Sequence, residues 1–182
     1  NMGWSQESKE QNKDKEIDSL FEKMLSIDGE EYIILRNEIV EKASQTYLDR
    51  KSQSDDVLTV MQSDILLAWK NNQALAQDVV DYHHAFARAA AESRKTGRGR
   101  APAVFLDRYG VDQDKLAKYK ADHNDQWPQS QEDYYRIKTP DRARTASLVL
   151  MEILYKSTQY TSAEEQMELI EALGALDSVE PT

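Results

Sequence analysis

The sequence predicts an all-α protein, a helical bundle in which a long central helix and a long C-terminal helix form an antiparallel or coiled-coil-like pair, with small helices inserted between them. Three observations predict this class. Apolar residues recur at helical spacing along nearly the whole chain. Residues that cap helices precede most of these stretches. Six glycines and four prolines in 182 residues are few for a turn-rich β fold.

The N-terminal part is expected to combine a polar tail with a helical hairpin. Residues 1–15 are polar and poor in aromatic residues, so they predict disorder. Residues 16–51 predict two helices separated at Asp28–Gly29, with Asp28 as the cap of the second helix. The apolar residues that should face the core of this hairpin are Ile17, Leu20, Phe21, Met24, Leu25, Ile33, Ile34, Val40, Ala43, Tyr47 and Leu48.

Residues 54–95 predict the long central helix. A serine and two aspartates mark its beginning at Ser54, and the apolar spacing then continues without a proline. A helix of about forty residues spans roughly 60 Å at 1.5 Å per residue, which is longer than a compact chain of this length. The helix is therefore either bent, with Asn71–Asn72 as its weak point, or part of an elongated hairpin.

Residues 101–138 predict an insertion of short helices. Pro102 suits the first turn of one helix, and Gly110 suits the position just after its end. Asp112 begins a second short helix, and Ser130 with an acidic residue three positions later opens a third.

Residues 139–174 predict the C-terminal helices. A proline stands in the first turn, Ser162 opens a capping box that interrupts the apolar stretch, and Gly174 marks the end. Residues 176–182 are expected to form a short acidic tail. Residues 16–175 are expected to form a single helical domain.

Few residue combinations suggest metal or catalytic chemistry. The chain has no cysteine, which excludes thiol catalysis and zinc–thiolate sites. Asp81 and His84 have the spacing of a metal pair, but the chain contains no Glu-x-x-His motif of the kind a di-metal bundle uses. Asp122 begins an alternation like that of a calcium loop, yet Trp127 and Asp133 stand where glycine and glutamate are needed. We therefore predict no catalytic, cofactor-binding or metal site.

One concentrated basic cluster lies at the C-terminal end of the central helix and in the loop after it, and consists of Arg88, Arg94, Lys95, Arg98 and Arg100. The cluster does not require a function, because the helix dipole favours cations near a helix C-terminus and the loop that follows is solvated. An acidic protein partner is the main functional alternative, and a phosphate backbone is a further one. Apolar residues of the same helix would extend such a surface. The residues expected to bind a partner are Trp69, Tyr82, Phe86, Arg88, Arg94, Lys95, Arg98 and Arg100.

Charge and hydropathy restrict the compartment and the class of partner. A formal net charge of −10 disfavours nucleic acids and anionic membranes as partners. No stretch reaches the roughly 18 apolar residues of a membrane span, and no signal-peptide pattern is present. We expect protein partners, no nucleic acid and no membrane span, in a protein of the bacterial cytoplasm or one that is secreted without a cleavable signal peptide.

A pattern in the middle of the chain carries a family resemblance. Its residues are Pro102, Val104, Tyr109, Gly110, Val111, Asp112, Leu116 and Tyr119, with the turn Tyr135-Arg136-Ile137-Lys138. This pattern resembles the mid-domain of type III secretion needle-tip and filament proteins. The resemblance implies a secreted, virulence-associated helical protein whose two long helices pair as a coiled coil, through which subunits associate. The charged segment 30–50 and the interruption at Ser162 depart from the family and argue against polymerisation.

The sequence favours a non-enzymatic helical interaction or structural protein, which by its resemblance is a tip- or translocator-associated secretion component. A cytoplasmic adaptor, chaperone or regulator that binds a basic protein remains an alternative. A second alternative is an enzyme or effector with an all-α active site around Tyr82, His83, His84 and Arg88. Self-association also stays open, because apolar stripes look the same whether they meet their own chain or another.

Overall fold

A computed structural model describes residues 2–95, 105–157, 162–177 and 179. The prediction of an all-α protein is confirmed, because these residues form helices and no β-sheet. The predicted pairing of two long helices is not confirmed. The helices are α1 Met2–Ser26, α2 Gly29–Lys42, α3 Gln45–Lys51, α4 Val57–Asn71, α5 Gln73–Lys95, the π-helical turn Leu106–Gly110, α6 Gln113–Asp122, α7 Gln131–Ile137, α8 Pro140–Lys156 and α9 Ala163–Asp177.

The chain divides into two compact units. The first unit comprises Asn1–Gln73 and Tyr155–Tyr160, and the second comprises Ala74–Leu154 and Thr161–Thr182. In the first unit, α1 and α2 pack against each other, and α1, α2 and α3 all pack against α4. Its buried core consists of Ile17, Phe21, Met24, Tyr32, Leu35, Ile39, Ala43, Tyr47, Leu48 and Leu66.

Helix α1 begins far earlier than the sequence predicted. Residues 1–15 were expected to be disordered, yet α1 is continuous from Met2 to Ser26. Its first half is rich in Glu, Gln and Lys, which favour a helix, and its middle is held by ion pairs. Asp14 contacts Arg50 at 2.9 Å and Asp18 contacts Lys51 at 3.0 Å. These ion pairs connect α1 to α3.

The break between α1 and α2 lies where it was predicted. Helix α1 ends at Ser26, and α2 begins at Gly29, whose φ of 65° favours glycine. The buried face of α2 differs from the expected one, because Tyr32, Leu35 and Ile39 point inward. The residues Ile33 and Ile34, which were expected in the core, are exposed. The hydroxyl of Tyr32 also donates to Gln62 Oε1 at 3.2 Å, which favours this rotation of the helix.

The central segment 54–95 forms two helices rather than one long helix. Asn72 leaves the helical conformation with φ −138° and ψ 48°, and its N–H bonds Ala68 O at 2.8 Å. The side chain of asparagine can form hydrogen bonds with nearby backbone groups in place of the helical ones, so asparagine favours helix ends. This explains why the helix breaks at the predicted weak point. The cap of α4 is Asp56, which accepts a hydrogen bond from the N–H of Thr59 at 3.1 Å.

The short helices of the second unit surround a small core. Val111, Leu116 and Ile137 are buried there, and Trp127 and Tyr134 pack against them. An isolated antiparallel β-bridge joins Val111 to Lys138. The predicted helix starts at Asp112 and Ser130 are confirmed, since each side chain accepts a backbone hydrogen bond in its helix. The predicted start at Pro102 lies outside the described residues.

The C-terminal segment forms α8 and α9. The capping box at Ser162 is confirmed, because its Oγ accepts a hydrogen bond from Glu165 N at 3.2 Å. The predicted end at Gly174 is wrong: α9 continues to Asp177. Residues 176–182 were expected to form a short acidic tail, and Leu176 and Val179 within it are buried. Burial of these two apolar residues explains why the helix continues past the glycine.

Candidate interaction surface

The predicted partner residue Trp69 belongs to the interior of the first unit. Its side chain is buried, and the guanidinium of Arg36 lies over the indole at 3.8 Å from the ring centre. Such a cation–π contact stabilises a buried arginine. Trp69 is therefore a packing residue and offers no surface to a partner.

Tyr82 and Phe86, two further predicted partner residues, are half-buried in an aromatic cluster of the second unit. Their rings stack at 5.4 Å, and Phe105 meets Tyr82 edge-on at 5.3 Å. The guanidinium of Arg108 lies 4.4 Å from the centre of the Tyr82 ring. These offset and edge-on contacts are typical of internal aromatic packing.

The predicted basic cluster is described only in part. Arg88 and Lys95 are exposed on α5, and Lys95 contacts Glu92 at 3.3 Å. The backbone of Arg94 is part of α5. Arg98 and Arg100 lie outside the described residues. Within the predicted set, the described contact is the stacking of the Tyr82 and Phe86 rings.

A charged network that the sequence did not predict is centred on Asp78 of α5. Arg108 donates two hydrogen bonds to its carboxylate, at 2.7 and 3.1 Å, and the hydroxyl of Tyr109 donates a third at 2.8 Å. The hydrogen bonds from Arg108 lower the pKa of Asp78 although burial opposes this. Burial and the bond to Asp78 raise the pKa of Tyr109. The network therefore holds one charge state near neutral pH, as a structural ion pair does.

His83, a residue of the predicted enzyme site, is buried. Its side chain is 3% exposed, and its Nδ1 has no hydrogen-bond partner among the described residues. Burial, together with the neighbouring His84, lowers the pKa of His83 to about 4. Within the described ranges, no three histidine or carboxylate side chains converge as a metal site requires.

A polar cleft of about 480 Å³ lies beside α1 and α3 in the first unit. Its charged groups satisfy one another, because Asp14 pairs with Arg50 while Asp18 pairs with Lys51 and accepts a hydrogen bond from Tyr47. Burial alone would raise the pKa of Asp18, but the bonds from Tyr47 and Lys51 lower it. The cleft thus contains neutralised pairs rather than charges that await a ligand.

Helix α9 is apolar on two faces. Leu169, Ala172 and Leu176 are buried on one side, where α9 packs against the π-helical turn. Met167 and Ile170 are 48% and 57% exposed on the other. The residues exposed along that outer face are Ala163, Met167, Ile170, Gly174 and Asp177, with spacings of four, three, four and three. We call Ala163, Met167, Ile170 and Gly174 the outer stripe of α9.

The regular spacing of the outer stripe is visible in the sequence, but only the fold shows that this face of α9 is exposed. Met167, Leu169, Ile170 and Leu173 lie close together in the sequence, and their spacing alone does not show which of them are buried. These residues in fact belong to two different faces of α9, and each face is apolar. An ordinary surface helix has one apolar face, so a second one is the signal that was missed.

Some other exposed large hydrophobic side chains occur in adjacent pairs. Ile33 and Ile34 lie side by side on α2, and Val57 and Leu58 lie in the first turn of α4. Scattered apolar residues are normal on protein surfaces and indicate no particular site. The outer stripe differs because it follows the 3.5-residue repeat of a helix–helix contact over three turns.

None of the helices in the described part of the chain is long and apolar enough to cross a lipid bilayer. Comparisons of the whole chain with known protein families, with curated proteins and with solved structures found no match.

Proposed function

We propose that this chain is a non-enzymatic helical interaction protein that binds a protein partner through the outer stripe of α9. The observation that carries the proposal is the exposure of Met167 and Ile170 at heptad spacing on a helix whose opposite face is already packed. Fully burying an exposed Met or Ile side chain is worth roughly 1.5–3 kcal/mol, and about half of that remains to be gained here because Met167 and Ile170 are 48% and 57% exposed. A partner helix would supply that burial by fitting apolar side chains into the stripe.

The polar groups of the chain support this proposal over an enzyme. The network around Asp78 and the pairs of the polar cleft are satisfied within the chain. The unpartnered Nδ1 of His83 is the observation that favours an enzyme, but a side chain 3% exposed offers no access to a substrate. We therefore rank the enzyme second.

The biological setting of the proposal rests on the sequence resemblance. A type III secretion tip- or translocator-associated component would use its central and C-terminal helices to pair with each other or with partner subunits. The pattern from Tyr109 to Asp112 and the turn that ends at Lys138 support that setting. A cytoplasmic adaptor or chaperone is the alternative setting, and the outer stripe serves either one.

Photo-crosslinking in cells that naturally produce the chain tests the proposal. A photoreactive phenylalanine analogue replaces Ile170 in one variant and the exposed Ala117 of α6 in the control. We expect a discrete covalent adduct with another protein from position 170 and none from position 117. Equal labelling at both positions, or no adduct at position 170, would contradict the proposal.

A further inference from the structure

Resting on that proposed function, the geometry points to a basic amphipathic helix as the partner of α9. Such a helix carries apolar residues at heptad positions and Lys or Arg residues beside them. Three properties of α9 lead to this partner: the spacing of the outer stripe, the small residues at its two ends, and the charge along its flank.

The spacing of the outer stripe matches one helix rather than a loop or a sheet edge. Ala163, Met167, Ile170 and Gly174 follow the alternation of four and three residues that a coiled-coil seam uses. From the first to the last the stripe is about 16 Å long at 1.5 Å per residue. An amphipathic helix of three to four turns covers this length.

The glycine in the stripe supports close approach of a second helix. A Cβ at Gly174 would have no heavy atom within 4 Å, and its φ is not positive. Neither packing nor backbone conformation within the described chain therefore requires glycine there, although glycine is unfavourable inside a helix. Glycine and alanine at the two ends of the stripe allow another helix to approach closely. The distance between two packed helices depends on the size of the side chains at the contact.

The charge along α9 selects a basic partner. The helix contains five carboxylates and no lysine or arginine, and one carboxylate, Glu168, is buried. Glu164 and Glu171 each follow a stripe residue and lie one heptad apart, so they lie along the same flank. A partner with Lys or Arg beside its apolar positions complements this flank. A second copy of α9 in antiparallel orientation would place like charges opposite each other.

Two synthetic helical peptides test the charge preference on the full chain. Both are about 21 residues long, with Leu at the two apolar positions of three heptads. One peptide has Lys and the other Glu at the flanking positions, and the remaining residues are identical. We expect the Lys peptide to bind at least about tenfold more tightly than the Glu peptide in isothermal titration.

Variants of the full chain locate the binding. Ile170→Asp should weaken binding of the Lys peptide by at least about tenfold. The matched control is Ile34→Asp, which changes a side chain 64% exposed on α2 and should leave binding unchanged. The double variant Glu164→Lys, Glu171→Lys should reverse the preference to the Glu peptide. Circular dichroism that matches the unmodified chain verifies that each variant is folded.

The outcomes separate this inference from the proposed function. Equal binding of both peptides at the outer stripe overturns the basic partner but leaves the interaction surface. If neither peptide binds, or if Ile34→Asp weakens binding as much as Ile170→Asp does, the basic helix is overturned as the partner. Crosslinking at position 170 tests the proposed function independently of these peptides. Concentration-dependent self-association in sedimentation velocity that Ile170→Asp abolishes assigns the stripe to a second copy and also overturns the inference.

Discussion

Lys156 at the end of α8 is a buried cation in the first unit. Its ammonium donates to the carbonyl oxygens of Met24, Leu25 and Ile27 at 3.2, 3.2 and 2.8 Å. The last carbonyls of a helix lack partners within the helix and carry partial negative charge. Lys156 thus closes the C-terminal end of α1, and the ring of Tyr32 lies 5.0 Å from the same ammonium.

Replacing Lys156 by methionine keeps the apolar stem and removes the ammonium. We expect Lys156→Met to lower the free energy of unfolding by about 2–3 kcal/mol, because buried carbonyl oxygens lose a charged donor. Urea unfolding followed by circular dichroism measures the change. The exposed Lys118→Met should change it by less than about 0.5 kcal/mol. Equal effects of the two substitutions would show that the carbonyl contacts do not stabilise the fold.

His83 makes the stability depend on pH in a defined direction. Its pKa is about 4 in the folded chain and about 6.5 when unfolded, so only the unfolded chain binds the proton between these values. The contribution of His83 to the free energy of unfolding is therefore fully present above pH 6.5. This contribution decreases as the pH falls towards 4. At pH 5 the loss relative to pH 7.5 should be about 2 kcal/mol.

The variant His83→Leu should lose this pH dependence, whereas the exposed His84→Gln should retain it. The measurement is the free energy of urea unfolding at pH 7.5 and at pH 5 for the two variants and the unmodified chain. A His83→Leu protein that loses as much stability on acidification as the unmodified chain would contradict the assignment to His83.

At the scale of the element, Gly110 and Gly174 have opposite roles. A Cβ at Gly110 would lie 2.6 Å from Leu106 Cδ1 and 3.1 Å from Val179 Cγ2. Gly110→Ala should therefore lower the free energy of unfolding by about 1–3 kcal/mol. Gly174→Ala meets open space inside a helix and should raise it by roughly 0.5–1 kcal/mol. Thermal unfolding of the two variants in parallel measures whether the first is less stable and the second more stable than the unmodified chain. A Gly174→Ala protein that is less stable than the unmodified chain would contradict the prediction.

Element boundaries were predictable where a local interaction defines them. Asp112, Ser130 and Ser162 each accept a backbone hydrogen bond three residues ahead, and the sequence shows such caps directly. The weak point at Asn72 is local for the same reason. The end of α9 was not predictable, because α9 packs against the π-helical turn Leu106–Gly110, which lies far away in the chain.

The inward face of a helix is harder to predict than its existence. In α2 two apolar sets compete, and the set with Tyr32 is buried while the set with Ile34 is exposed. In α9 both apolar sets exist, and only packing decides which one is buried. Spacing identifies a face but not what covers it. The candidate surface at Met167 therefore required the fold.

At the scale of the whole molecule, the all-α class followed from periodicity that is repeated in every segment. Contacts between distant residues did not follow from it. Asp78 meets Arg108 and Tyr109 about thirty positions away, and no spacing in the sequence predicts that network. The predicted partner residue Trp69 is buried for the same reason, because Arg36 of another helix covers it.

The net charge of −10 should make association with a basic partner sensitive to salt. Raising the ionic strength screens exposed charges, so the Lys-flanked peptide should associate several-fold more slowly at high salt, with a smaller change in dissociation. Stopped-flow fluorescence at two salt concentrations measures both rates. An association rate that does not respond to salt would be inconsistent with a basic partner.

The outer stripe of α9 is tested most directly by methyl NMR of the full chain with labelled methionine and isoleucine. Titration with the Lys-flanked peptide should shift the methyl signals of Met167 and Ile170, while those of Ile33 and Ile34 on α2 remain in place. Unchanged signals from Met167 and Ile170, or equal shifts on α2, would contradict binding at the outer stripe.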